Sequence, residues 1–306
     1  MFVALAVGVI LSVPTYIFSG PILYLFYSAA EPAVHSSANI YLRITAVSYP
    51  FLSLYTASAA LYRASGNSKL PVTVISIGNV INVIGNAILI FIFIFIFDMG
   101  VAGAAIATLA SRVFSCVVLI VCQMKPGEIA SIDVLRRFRL RSDEMLRIMR
   151  IGIPNAVENG VFQVGKIVVQ SIVVSLGTTA TAAHAITIQI EIISLHPSLA
   201  ICTAMLTVVG QALGAGKKEE ARCYAVRLSA LSQLLCIVLS AFTIVFTPTL
   251  CSFTELSAEG IHLVSGLVTF ICIGRMLVWS PAFTLPNALR AAGDVKYPLI
   301  ISVMSM

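Results

Sequence analysis

The chain has 306 residues, of which 59% are hydrophobic and only 10% charged, with a mean hydropathy of +1.00 and a formal net charge of +6. A water-soluble domain of this length has no means of hiding so much apolar surface, so a soluble globular protein is excluded. The basic excess invites a nucleic-acid reading, which the positions of the charges exclude in turn.

Apolar runs of roughly 20 or more residues recur along the chain and predict transmembrane helices. The first spans 3–26. No Lys or Arg precedes its apolar stretch and it is too long for a signal-peptide core, so it is read as a span. The second, third and fourth fall at 38–62, 72–97 and 101–123. Arg43 lies near an interface, but Arg112 sits at membrane depth, where an ionisable group is costly and usually functional.

A polar stretch follows at 123–150. Ser131 with Asp133, and Ser142 with Asp143 and Glu144, are helix-start signals. Apolar Ile132, Leu135, Phe138, Leu146 and Met149 alternate with arginines. The pattern suits an amphipathic helix in the cytoplasmic interface, or a solvated basic linker.

The fifth span, 151–175, carries a polar stripe of Asn155, Asn159, Gln163, Lys166 and Gln170, with Glu158 at its edge, about one turn after Pro154. Such a stripe faces protein or water rather than lipid. Glu158 can take up and release a coupling cation. It can equally form an ion pair with Lys166 or Arg275 that only holds helices together.

The sixth span, 181–211, carries His184, Thr187, Glu191, Ser194 and Ser198 at steps of three and four. This reads as a cavity wall with His184 and Glu191 as a proton relay, or as a polar helix contact. His196, off the stripe and next to Pro197, reads as structural. The seventh and eighth spans are 227–252 and 260–286, the latter holding Arg275, and a ninth begins near 297. Pro14, Pro50, Pro197, Pro281 and Pro286 lie within spans, as hinges or as static kinks. The seven cysteines show no metal spacing and read as small hydrophobes.

Of the 19 Lys and Arg, 15 fall in alternate connections: 63–69, 123–150, 214–227 and 290–296. The intervening connections 27–37, 98–100, 176–180 and 253–259 carry none and hold Glu31, Asp98, Glu255 and Glu259. This positive-inside pattern makes the basic loops cytoplasmic. The basic charge therefore reports topology and no nucleic acid.

Residues 5–76 are echoed by 232–303 at a constant spacing of 227. The clearest pair is Arg63-Ala64-Ser65-Gly66-Asn67-Ser68-Lys69-Leu70-Pro71 against Arg290-Ala291-Ala292-Gly293-Asp294-Val295-Lys296-Tyr297-Pro298. Pro21 and Pro248 share the spacing. An internal repeat in a membrane protein is the signature of a transporter built from two related halves.

The segments "YLRITAVSYPFLSLYTASAALYRASGNSKLP", "GVAGAAIATLASR", "IGIPNAVENGVFQ", "SLGTTATAAHAI" and "VVGQALGAGKKEEA" resemble the multidrug and toxic compound extrusion (MATE) transporters, and occur in that family's order. The resemblance implies an all-α polytopic membrane protein of twelve helices in two pseudo-repeated six-helix bundles. Residues 1–122 would be the remainder of the first lobe (family helices 3–6), 123–150 the cytoplasmic linker, and 151–306 the second lobe (helices 7–10 and the start of 11). About eight complete spans and part of a ninth are then present, and a chain truncated at both ends is expected. Residues 1–306 alone are expected not to support vectorial transport.

The resemblance also implies that Glu158 contributes to a second-lobe cation site, with Glu191 and His184 as further cation-coupling residues. Asn155, Asn159, Gln163, Lys166, Gln170, Thr187, Arg275 and Arg112 would line the substrate cavity. Many members carry an acid in the eighth span where this chain has only Arg275, which puts Na⁺ coupling in doubt.

The leading expectation is a monomeric antiporter in the cell membrane. It would export amphipathic, often cationic, small molecules in exchange for H⁺ or Na⁺, by alternating access. Alternatives are a flippase for an anionic lipid-linked precursor and an inactive fragment. No cofactor is implied beyond the coupling ion, and no nucleotide or metal motif is present. An enzyme is disfavoured by the lack of H-E-x-x-H, G-x-S-x-G or paired carboxylates.

Overall fold

The computed structural model describes residues 1–27, 32–92, 100–124, 142–254, 257–294 and 296–305. The linker segment 125–141, with the first of the two expected helix starts, lies outside these residues, as do Glu31, Asp98 and Glu255. The described residues are helical and contain no strand. Among them, six helices are long and apolar enough to cross a membrane, or up to eight if each of two bent pairs is one span. The chain is thus an all-α, multi-pass membrane protein. It divides into two compact units, Met1–Leu140 and Arg141–Met306.

The first unit holds α1 (Phe2–Ile17), α2 (Ser19–Tyr27), α3 (Pro32–Val47), α4 (Tyr49–Ala64), α5 (Lys69–Asn86, continued as a π-helical turn Ala87–Ile92) and α6 (Gly100–Gln123). The first predicted span is bent by 75° between α1 and α2, and the second by 44° between α3 and α4. Pro50 stands in the first turn of α4, where its missing N–H costs nothing but forbids a continuous helix through Ser48. α6 packs on α3, α4 and α5. Small residues let the backbones approach, as association in lipid requires. A methyl at Gly78 would fall 2.4 Å from Ser115 Oγ, and one at Gly103 only 2.8 Å from the Leu89 carbonyl oxygen. Ala59, Tyr62, Val74 and Leu119 form the core.

The second unit holds α7 (Ser142–Ser175), α8 (Thr178–Gly214), α9 (Lys218–Cys251), α10 (Ala258–Trp279, continued as a π-helical turn Ser280–Thr284), α11 (Leu285–Ala291) and α12 (Lys296–Ser305). The second helix-start signal of the linker, at 142, is where α7 itself begins. α8 is central and packs on α9, α10 and α11, while α7 touches only α8 and α12 among the stronger contacts. Apolar clusters run down α8. Ala183 and Ile190 meet Cys251, Val264, Val268 and Cys272. Cys202 meets Cys236 and Trp279, and Met205, Val209 and Ala212 meet Ala221 and Ala288. Five of the seven cysteines are buried as ordinary core residues.

At its clearest pair the sequence repeat is also structural. Gly66 and Gly293 have φ of 89° and 88°, the left-handed backbone that glycine adopts without steric cost. The following amides close the same C-terminal motif: Asn67 N–H to Tyr62 O at 2.9 Å, and Asp294 N–H to Leu289 O at 3.0 Å. Asn67 Oδ1 then accepts from Leu70 N–H, and Asp294 Oδ1 from Tyr297 N–H, at 3.3 and 3.2 Å. Both turns launch the next helix by the same bond at the same repeat position.

Candidate functional site

Glu158 stands in the only described acid position of α7's membrane-spanning part and is 7% exposed. Both of its carboxylate oxygens lie 2.6 Å from Nη2 of Arg290, on α11. Arg290 Nη1 also donates to Asn287 Oδ1 at 3.0 Å. The pairing expected from sequence is therefore corrected in its partner: it is Arg290, not Lys166 or Arg275. Lys166 is eight residues along the helix, ~12 Å in axial rise, and points into the open. Arg290 reads in sequence as a loop cation of the basic connection 290–296. The structure instead places it inside the last turn of α11, with its side chain 18% exposed. The signal that could have found it is the repeat, which sets Arg290 and Arg63 at the same place before the Gly turn.

The rest of the α7 stripe is not gathered into a pocket. Asn159, Gln163 and Lys166 are exposed and Asn155 and Gln170 half-buried, with Asn159 Nδ2 donating to the Asn155 carbonyl at 2.8 Å.

The α8 stripe is packed rather than open, which corrects the cavity-wall reading for its central residues. Thr187, Ser194 and Ser198 are buried to 1% or less exposure. Thr187 Oγ1 donates to its own helix at Ala183 O, 2.9 Å away. Arg275 of α10, 8% exposed, donates Nη2 to Glu191 Oε1 and Nη1 to Ser194 Oγ, the latter at 3.0 Å. Its guanidinium also lies 6.0 Å from the Trp279 ring. A buried guanidinium is costly without such partners, and these ones turn the stripe inward. Glu191 is therefore committed to Arg275, and His184, two turns away and half-buried, is not bonded to it. His196 bonds the Ile192 carbonyl of its own helix at 3.0 Å.

Sequence reading missed Gln233. Its Oε1 accepts from Ser280 N–H at 2.8 Å, and its Nε2 donates to Met276 O. The α9 side chain thus inserts into the backbone ladder of α10 at Ser280, where the π-helical turn begins. Ser232 accepts from Trp279 Nε1 at 3.1 Å and shares a bond with Thr284 Oγ1 at 3.0 Å.

In the first unit Arg112, half-buried, donates Nη1 to Ser48 Oγ at 2.5 Å, at the bend between α3 and α4. It lines a cavity of about 210 Å³ with Tyr55, Asn79, Asn82, Thr108 and Ser111. Arg43 donates Nε to Ser19 Oγ at 2.9 Å, at the other bend. Among the described residues no group of three His, Cys, Asp or Glu could hold a metal ion.

A multi-pass helical protein whose two units repeat one helix–turn–helix device, with ionic groups buried between its helices, has features in common with membrane transporters. The family model MatE matches residues 1–88 and 154–306. The chain belongs to this family, whose members are transporters rather than enzymes. It is similar to the probable multidrug resistance protein NorM of Thermotoga maritima, 28% identical over 100% of this chain and 65% of that protein. It is 28% identical to the probable multidrug resistance protein YoeA of Bacillus subtilis, over 98% of this chain and 64% of that protein. The crystal structure of MATE in the bent conformation shares its fold, with a TM-score of 0.84 at 17% identity, over 99% of this chain and 65% of that one. The chain spans about two thirds of the length of these relatives.

Proposed function

We propose that the protein is a secondary active exporter of amphipathic organic compounds in the cell membrane, driven by H⁺ rather than Na⁺. Family membership and the resistance proteins among its relatives support export. The choice of ion rests on one observation, the buried Glu158–Arg290 pair with both carboxylate oxygens against one guanidinium nitrogen. A Na⁺ ion needs several oxygen ligands, and both carboxylate oxygens here already face the guanidinium. A proton needs only one oxygen. Protonation neutralises Glu158, dissolves the charge pair and frees α7 from α11, so proton binding changes which helix arrangement is favoured. The external and internal proton concentrations then bias that switch in opposite directions.

The test uses membrane vesicles and a fluorescent lipophilic cation, with the protein at the full length of its MatE relatives, since residues 1–306 alone are expected not to transport. An imposed pH gradient is expected to drive its movement, and a Na⁺ gradient of equal size to drive none. Glu158→Gln keeps the shape and removes the titration, and is expected to abolish the response to the pH gradient. Unchanged transport in Glu158→Gln, or drive by Na⁺ alone, would overturn the reading.

A further inference from the structure

The two units treat the arginines among their helices differently. In the second, Arg275 faces Glu191 and Arg290 faces Glu158. In the first, the described residues contain no Asp or Glu at all. Among the described residues Arg112 there bonds the neutral Ser48 hydroxyl. Its Nε and Nη2 make no hydrogen bond to any described residue.

Arg112 also lines the cavity between α4, α5 and α6, whose walls mix apolar surface with several polar side chains. The hydroxyls around that cavity direct their protons elsewhere. Thr108 Oγ1 donates to Ala104 O, Ser111 Oγ to Thr108 O, and Tyr55 to Pro71 O, at 3.0, 2.9 and 3.3 Å. Asn82 Nδ2 is turned to Thr108 Oγ1 at 3.3 Å. The donors left for a ligand are those of Arg112, the second N–H of Asn82 Nδ2, and those of Asn79, which is exposed and makes no described hydrogen bond. A cavity of about 210 Å³ admits a small head group but not a drug-sized molecule.

We propose that this cavity binds an oxyanion, a carboxylate or phosphate group of a small amphiphile, with Arg112 as its charged anchor. The planar guanidinium presents two parallel N–H groups that match the two oxygens of such a group. An organic cation is repelled from the same place. The tail of the amphiphile extends past Leu52 and Ile75, the apolar part of the lining. The inference concerns binding in one unit with no gradient applied, so it stands or falls separately from proton coupling at Glu158.

The test is calorimetric titration of the purified full chain in nanodiscs of phosphatidylcholine. Probes are octanoate, hexyl phosphate and, as the cationic counterpart, octyltrimethylammonium. A parallel set of nanodiscs contains phosphatidylglycerol. Binding of octanoate or hexyl phosphate, weakened at least about tenfold in Arg112→Gln, supports the proposal with a soluble ligand. Strong binding in phosphatidylcholine that phosphatidylglycerol competes away supports it with a lipid head group as the natural occupant. Because Arg112→Gln also removes the bond to Ser48, a second variant leaves that bond intact. Asn79→Asp, at an exposed position, places a carboxylate in the cavity and is expected to suppress anion binding with the melting temperature unchanged. Three outcomes would overturn the proposal: anion binding unaffected by either variant, preference for octyltrimethylammonium, or no binding of any anionic probe.

Discussion

A guanidinium among apolar helices needs a carboxylate, a polar bend or a ligand, and this chain supplies different answers in its two units. Arg43 and Arg112 donate to serines at helix bends, whereas Arg275 and Arg290 face carboxylates. The energetic asymmetry lies in breaking a pair, because the remaining charge is left buried. Arg290→Gln is expected to destabilise the protein by about 3 kcal/mol, at the low end for a buried pair because Arg290 keeps some contact with solvent. The double variant Glu158→Gln/Arg290→Gln removes both charges and is expected to recover most of that loss. Thermal unfolding in detergent reads both. Equal losses in the single and double variants would show that the two side chains act independently.

Among the elements, the eighth predicted span shows how a side chain takes the place of a backbone bond. In an α-helix Ser280 N–H would bond Met276 O, but the π-helical turn begins at Ser280, next to Pro281, and this rung is open. Gln233 bridges its two groups, with its carbonyl on Ser280 N–H and its amide on Met276 O. Gln233→Met keeps the volume and removes both bonds. It is expected to cost about 2 kcal/mol, the penalty of leaving buried polar backbone unpaired. A melting temperature equal to the parent's would mean that the turn re-forms its own ladder without help. The close approach of α5 to α6 at Gly78 belongs to the same scale, since it comes from the absence of a side chain.

At the scale of the molecule, the one-sided distribution of Lys and Arg carries the orientation. Asn67 and Ser257 are both exposed, in a basic turn and in an opposite connection. In a cysteine-free background, Asn67→Cys is expected to resist an impermeant thiol reagent added outside intact cells, and Ser257→Cys to react with it. The reverse pattern would invert the topology.

The spans, the repeat and the all-α class were legible in the residues because each rests on a local rule. Twenty apolar residues must cross lipid as a helix, and a Gly after the last turn with Asn or Asp next to it stops one helix and starts another. Glu158 was legible as a costly group in an apolar helix. Its partner was not, because Arg290 is 132 residues away and looks like one more basic loop residue. The packed state of the α8 stripe and the insertion of Gln233 were hidden for the same reason. A polar stripe has the same periodicity whether it faces water, a ligand or another helix. Which of these it meets is set by the helices folded against it: Arg275 of α10 turns Glu191 and Ser194 inward, whereas Arg112, among the described residues, meets a serine hydroxyl and the wall of a cavity.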